Sequence, residues 1–174
     1  GHGTDRGLVA GLLGMRPDDE RIPDSFEIAR KMSLSYSFGI ANLTSAHPNS
    51  VVLEVKGKSG RTLEVQACSL GGGRIMINRL DGLDVNCSCE IPTLIVHNLD
   101  QPGHVAEVTS MLAHKSVNIA NMSLYRDKRG GSAVMVVEMD QPLPKESLEW
   151  LEHLEGIVKV TYINVTEGEE DDVL

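Results

Sequence analysis

His97-Asn98-Leu99-Asp100-Gln101-Pro102-Gly103-His104 stands between an apolar run, Ile91 to Val96, and a helical pattern, Val105 to Lys115. A strand therefore ends in a tight turn, and a helix starts from it. Pro102 falls near the first helical position, where a missing N–H costs nothing. Gly103 lets another group come close to the backbone. The free N–H groups of the first helical turn form an anion site, and a carboxylate is the obvious small anion for it. The stretch points to binding rather than catalysis.

Toward the C-terminus the pattern is regular. A strand over 90–97 precedes a helix over 102–115, whose apolar stripe is Val105, Val108, Met111 and Leu112. Residues 117–125 form a strand, and Arg126 to Gly131 a charged turn. Val134, Val136 and Val137 centre the next strand, a helix starts at Pro144 and Lys145, Gly156 closes it, and a last strand follows over 157–165. The order β-α-β-β-α-β is the ferredoxin-like split unit. The acidic end, 167–174, reads as a solvated tail.

Toward the N-terminus, Leu8, Val9, Leu12 and Leu13 mark a helix capped by Thr4 or Asp5 and stopped near Gly14. Asp24 or Ser25 caps a second helix carrying Phe26, Ile28, Ala29 and Met32, and Tyr36 to Ile40 is expected to be extended. His47-Pro48 is a turn or extended loop. Val51, Leu53 and Val55 alternate as a strand, Lys58 to Arg61 turns, and Leu63, Val65 and Ala67 continue the period of two. Gly71-Gly72-Gly73 frees several backbone N–H groups before a strand at Arg74 to Arg79. The class is α+β: helices with a small antiparallel sheet over 1–84, a polar boundary at Asp81 to Ser88, and the βαββαβ module over 89–166.

The chain has 174 residues, 41% of them hydrophobic but only 3% aromatic, so its core rests on Leu, Ile, Val, Met and Ala. A net charge of −9 argues against nucleic acid or an anionic membrane as partner. No apolar run approaches the roughly 20 residues of a membrane helix. The chain opens at Gly1 without Met or a signal-like core, as a fragment or processed piece would. Cys68, Cys87 and Cys89 fit a reducing, cytoplasmic compartment, and the Cys-x-Cys lacks the second pair that a metal site requires.

Asn98-Leu99-Asp100-Gln101-Pro102-Gly103 and Val117-Asn118-Ile119-Ala120-Asn121 resemble the ACT domain, a βαββαβ unit that commonly binds amino acids in metabolic regulation. The resemblance implies an effector held by Asn98, Gly103 and His104, with Asn118 and Ile119 lining the facing edge, and pairing of two copies through the domain. Gly1-His2-Gly3-Thr4-Asp5, Ala46-His47-Pro48-Asn49 and Ser69-Leu70-Gly71-Gly72-Gly73 resemble the beta part of the iron–sulfur L-serine dehydratases. That family converts L-serine to pyruvate and ammonia.

By that resemblance the [4Fe-4S] cluster is held by an alpha partner, and this chain binds no cluster and is inactive alone. His2 and His47 would contact the substrate carboxylate or move protons, and Thr4, Asp5 and Asn49 would orient the carboxylate or ammonium. The family's beta part carries a Ser/His-rich motif upstream of the Gly-His-Gly-Thr-Asp segment, absent from this sequence. The C-terminal part of some phosphoglycerate dehydrogenases joins similar modules and implies a serine-sensing alternative. A stand-alone ACT pairing module is the third.

Overall fold

The computed structural model describes residues 3–164. His2 and the expected acidic tail lie outside the described residues. The chain divides into two compact units, Gly1–Thr44 and Ser45–Leu174, so the stretch at 81–88 falls inside the second.

In the first unit, α1 (Thr4–Leu12) and α2 (Ser25–Lys31) follow one another through a 3-10 turn at Ile22–Asp24. The N-cap of α1 is Gly3, at φ 79°, rather than Thr4 or Asp5, which lie inside its first turn. There Asp5 still favours the positive end of the helix dipole. Val9 and Ala10 are buried while Leu12 is exposed. The buried Ser25 hydroxyl donates to the Arg6 carbonyl at 3.0 Å and ties the two helices together. Tyr36 to Ile40 forms no strand.

The second unit holds two four-stranded antiparallel sheets. The first is a meander of β1 (Ser50–Lys56), β2 (Thr62–Gly71), β3 (Arg74–Leu80) and β4 (Leu83–Cys87). β4 lies within the stretch expected to be a polar boundary. Val85 and Cys87 point inward while Asp84 and Asn86 are exposed. The second sheet contains β5 (Thr93–Leu99), β6 (Ile119–Arg126), β7 (Ser132–Met139) and β8 (Ile157–Ile163), in spatial order β6-β7-β5-β8. With α3 (His104–His114) and α4 (Lys145–Glu152) it forms the expected βαββαβ unit.

Two side-chain clusters explain why β5 is buried from Thr93 to Asn98. Leu94 and Val96 pack with Val108, Leu112, Met135, Val137 and Leu151 on the helix side. Ile95 packs with Ile77, Leu80, Val85, Val134 and Val136, so the first sheet covers the opposite face. A strand covered on both sides reads as a continuous apolar run rather than an alternation.

Three helices close in the same way. Met15, Leu34 and Val117 donate back to the carbonyls of Ala10, Ala29 and Leu112, and the residue before each is left-handed: Gly14, Ser33 and Ser116. This is the Schellman closure, and glycine suits it best. Ser116, at φ 56°, carries the steric cost of a Cβ in that conformation. Ser116→Gly is expected to raise unfolding free energy by about 1 kcal/mol in urea titration.

Candidate functional site

β5 alternates faces, so His97 and Asn98 leave the strand on opposite sides. His97 faces the first sheet. Its Nε2 lies 3.3 Å from Asp81 Oδ2, yet neither ring nitrogen has a hydrogen-bond partner. Lys159 donates to Asp81 Oδ2 at 2.6 Å and to the Thr62 carbonyl at 2.7 Å. Burial pushes the Asp81 carboxyl up, but Lys159 and the Glu64 N–H outweigh it and hold Asp81 below its usual range. Burial pushes the His97 imidazole down, against the smaller pull of Asp81 and alongside repulsion from Lys159 and Arg61.

The folded state thus disfavours a charged His97. Stability is full above the unfolded pKa near 6.5 and falls as pH drops below it toward the folded value. The melting temperature is expected to fall from pH 7.5 to pH 5, and His97→Gln to flatten that slope.

A cleft of about 560 Å3 beside this cluster is lined by Arg61, Asp81, Glu152 and Lys159. Its charges are already paired, Arg61 with Glu152 at 3.5 Å and Lys159 with Asp81.

Asn98 leaves on the helix side, at the start of the turn between β5 and α3. The Leu99 N–H donates to the Gly156 carbonyl, and the Asp100 N–H to the Gly131 carbonyl, both at 2.9 Å. Asp100 Oδ2 accepts from Arg126 at 3.0 Å and from the Gly130 N–H at 2.9 Å, which pins the turn to the β6–β7 hairpin. α3 begins at His104, two residues past Pro102, with Gly103 as N-cap at φ 108°. Glycine offers no side-chain oxygen there, so no cap bonds the first-turn N–H groups.

Two polar side chains are sealed beside this open helix end. Asn98 is 6% exposed; its amide donates to the Leu99 carbonyl at 2.7 Å, while Oδ1 has no partner. His104, expected to leave the apolar stripe to Val105, is instead the buried residue, also 6% exposed, and Val105 is 41% exposed. Its Nδ1 meets Glu107 Oε2 at 3.1 Å, and its Nε2 has no partner. A Cβ on Gly156 would stand 2.6 Å from that Nε2. Asn98 is registered opposite Ile157, so both orphaned atoms flank the start of β8. Buried polar atoms without partners are rare, and each calls for a physical explanation.

Asn118 and Ile119 are not brought to this point within one chain. Ile119 is registered with Met139, and Asn98 with Ala133, at the opposite end of β7. Asn118 donates to Asp140 Oδ2 at 2.6 Å. Of the expected catalytic residues, Thr4 and Asp5 belong to the first unit and His47 and Asn49 to the second. Asp5 Oδ1 accepts from the Arg6 N–H at 2.9 Å. The Asn49 N–H donates to His47 Nδ1 at 3.2 Å, so the neutral ring carries its proton on Nε2. Gly156 and Glu107 were missed as parts of the turn; in sequence Gly156 reads only as a helix stop.

Among the described residues no three His, Cys, Asp or Glu side chains are placed to hold a metal ion. No helix among them is long and apolar enough to cross a membrane.

Residues 92–155 match the ACT domain family, in agreement with the βαββαβ order of this unit. The chain is 34% identical over 166 residues to the L-serine dehydratase beta chain of Peptoniphilus asaccharolyticus, covering 95% of this chain and 75% of that one. It is 34% identical over 163 residues to a probable L-serine dehydratase beta chain of Bacillus subtilis, covering 94% and 74%. It belongs to the family of L-serine dehydratase beta chains. A D-3-phosphoglycerate dehydrogenase of Methanocaldococcus jannaschii is 31% identical over 90 residues, 52% of this chain and 17% of that one.

Proposed function

We propose that this chain is the beta subunit of an L-serine dehydratase, which converts L-serine to pyruvate and ammonia together with an alpha subunit carrying a [4Fe-4S] cluster. Alone it is inactive. Similarity to dehydratase beta chains along nearly its whole length supports this most directly. Three free thiols support a reducing cytoplasm.

The ACT unit binds a free α-amino acid, with L-serine as the first candidate. The uncapped α3 N–H groups suit its carboxylate. Asn98 Oδ1 suits its ammonium. Two copies complete the site. β6 is an edge strand, and a two-fold axis between β6 edges runs them antiparallel. That arrangement carries Asn118 and Ile119 of one copy toward the β5–α3 turn of the other. In the assembled enzyme His2, Thr4, Asp5, His47 and Asn49 bind and orient serine, with His47 Nε2–H donating to its carboxylate.

The test is anaerobic copurification of the chain from its source cells, followed by assay of pyruvate release from L-serine. A brown iron-containing partner and serine-dependent pyruvate are expected. A colourless nicotinamide-dependent partner would move the chain to the phosphoglycerate dehydrogenase reading, which the partial similarity to those enzymes favours. In the assembled enzyme, His47→Ala is expected to lower kcat/KM about tenfold, the loss of one charged hydrogen bond of about 1.5 kcal/mol. Unchanged activity in both His2→Ala and His47→Ala would remove their assigned roles.

A further inference from the structure

We propose that Cys87 and Cys89 form a dithiol that a small hydroperoxide oxidises to an intrachain disulfide. Residues i and i+2 of a strand share a face but stay about 6.6 Å apart along it. Here β4 ends at Cys87, and Cys89 takes a left-handed backbone, φ 55°, that carries its side chain back. The two sulfurs lie 3.2 Å apart. That is within about 1.2 Å of the ~2.05 Å of a disulfide bond. Both residues are buried, Cys87 1% and Cys89 5% exposed, in the cluster where the two sheets meet. Half-buried Ser88 lies between them, flanked by exposed Asn86 and Glu90, so the pair sits just under the surface. Such a place admits a hydroperoxide more readily than a bulky disulfide.

The chemistry balances with the peroxide as oxidant. The Cys89 thiol and backbone N–H draw the Cys87 thiol below its ordinary range, against the opposing effects of burial and the Glu138 carboxylate. The Cys89 thiol is pushed up by its Cys87 neighbour and by burial, so it keeps its proton. The Cys87 thiolate attacks one peroxide oxygen, the O–O bond breaks, and the leaving hydroxide or alkoxide takes up a proton. Cys89 sulfur then attacks the Cys87 sulfenic acid. The S–S bond forms, and hydroxide leaves with the Cys89 proton as water. Two thiols lose two electrons, and one peroxide gains them.

The test is made on the whole reduced chain. It is treated with hydrogen peroxide, alkylated in denaturant and digested with trypsin. Cys87 and Cys89 share the fragment 80–115, and Cys68 falls in 62–74. The expected result is a fragment 80–115 lighter by two hydrogens, closed to alkylation and restored by dithiothreitol, with Cys68 still alkylated. Cys89→Ser is expected to yield instead a Cys87 sulfenic acid that dimedone traps. If that variant does not fold, the mass change in the unaltered chain carries the test. Both thiols still alkylated after Cys68 has been oxidised, or a Cys87 sulfinic acid with no disulfide, would overturn the proposal.

Discussion

Asn98→Leu is expected to weaken L-serine binding about 100-fold without lowering the stability of the free protein. The substitution removes Oδ1, the sealed acceptor assigned to the ligand ammonium. A hydrogen bond to a charged group is worth up to about 3 kcal/mol, or roughly 100-fold in affinity. In the empty site the same atom is a liability, because a buried acceptor without a partner costs about 1–3 kcal/mol. Leucine has nearly the same shape and no such cost, and the Leu99 carbonyl that loses the Asn98 amide still accepts from the Gln101 N–H at 2.8 Å. The free variant is therefore expected to melt at or above the parent temperature while losing the ligand-induced rise. A structural role for Asn98 would give the reverse: lower stability with retained binding.

Gly156→Ala is expected to destabilise the protein by about 3 kcal/mol, lowering Tm on the order of 9 °C. Two costs add. Gly156 sits at φ 81°, where a Cβ costs about 1–2 kcal/mol. The new Cβ would also stand 2.6 Å and 2.7 Å from His104 Nε2 and Cε1. A ring held on its other side by Glu107 moves only at the overpacking cost of about 1–3 kcal/mol. Gly60→Ala separates the two contributions. Gly60 has nearly the same φ, 85°, with nothing within 4 Å of a Cβ, so it should lose only about 1–2 kcal/mol. Equal losses at both positions would show that His104 does not pack on Gly156. The His104 ring that the new Cβ displaces borders the proposed serine site, so Gly156→Ala should weaken serine binding as well.

The βαββαβ order was legible because turn residues bound each of its segments: Pro102-Gly103, Gly130-Gly131, Pro144 and Gly156. β4 was not. Asp84 and Asn86 face solvent, and with Gly82 before them they disguise the inward set of Leu83, Val85 and Cys87. At the turn, the sequence marked the open helix end and Asn98. It misassigned the buried face, because hydropathy ranks Val105 above His104. The structure buries His104, whose Nδ1 is answered by Glu107 one turn on and whose ring packs on a residue with no side chain. That contact joins residues 104 and 156, a separation no local pattern reveals. Asn118 shows a further limit. Its place in the expected site depends on strand register and on a second copy, neither of which is written in local sequence.

The most direct measurement is isothermal titration of L-serine into the purified chain, alongside Asn98→Leu. Saturable heat in the parent and none in the variant, with both folded by circular dichroism, is the expected result. No heat in the parent, or equal heat in both, would contradict an amino-acid site at the β5–α3 turn.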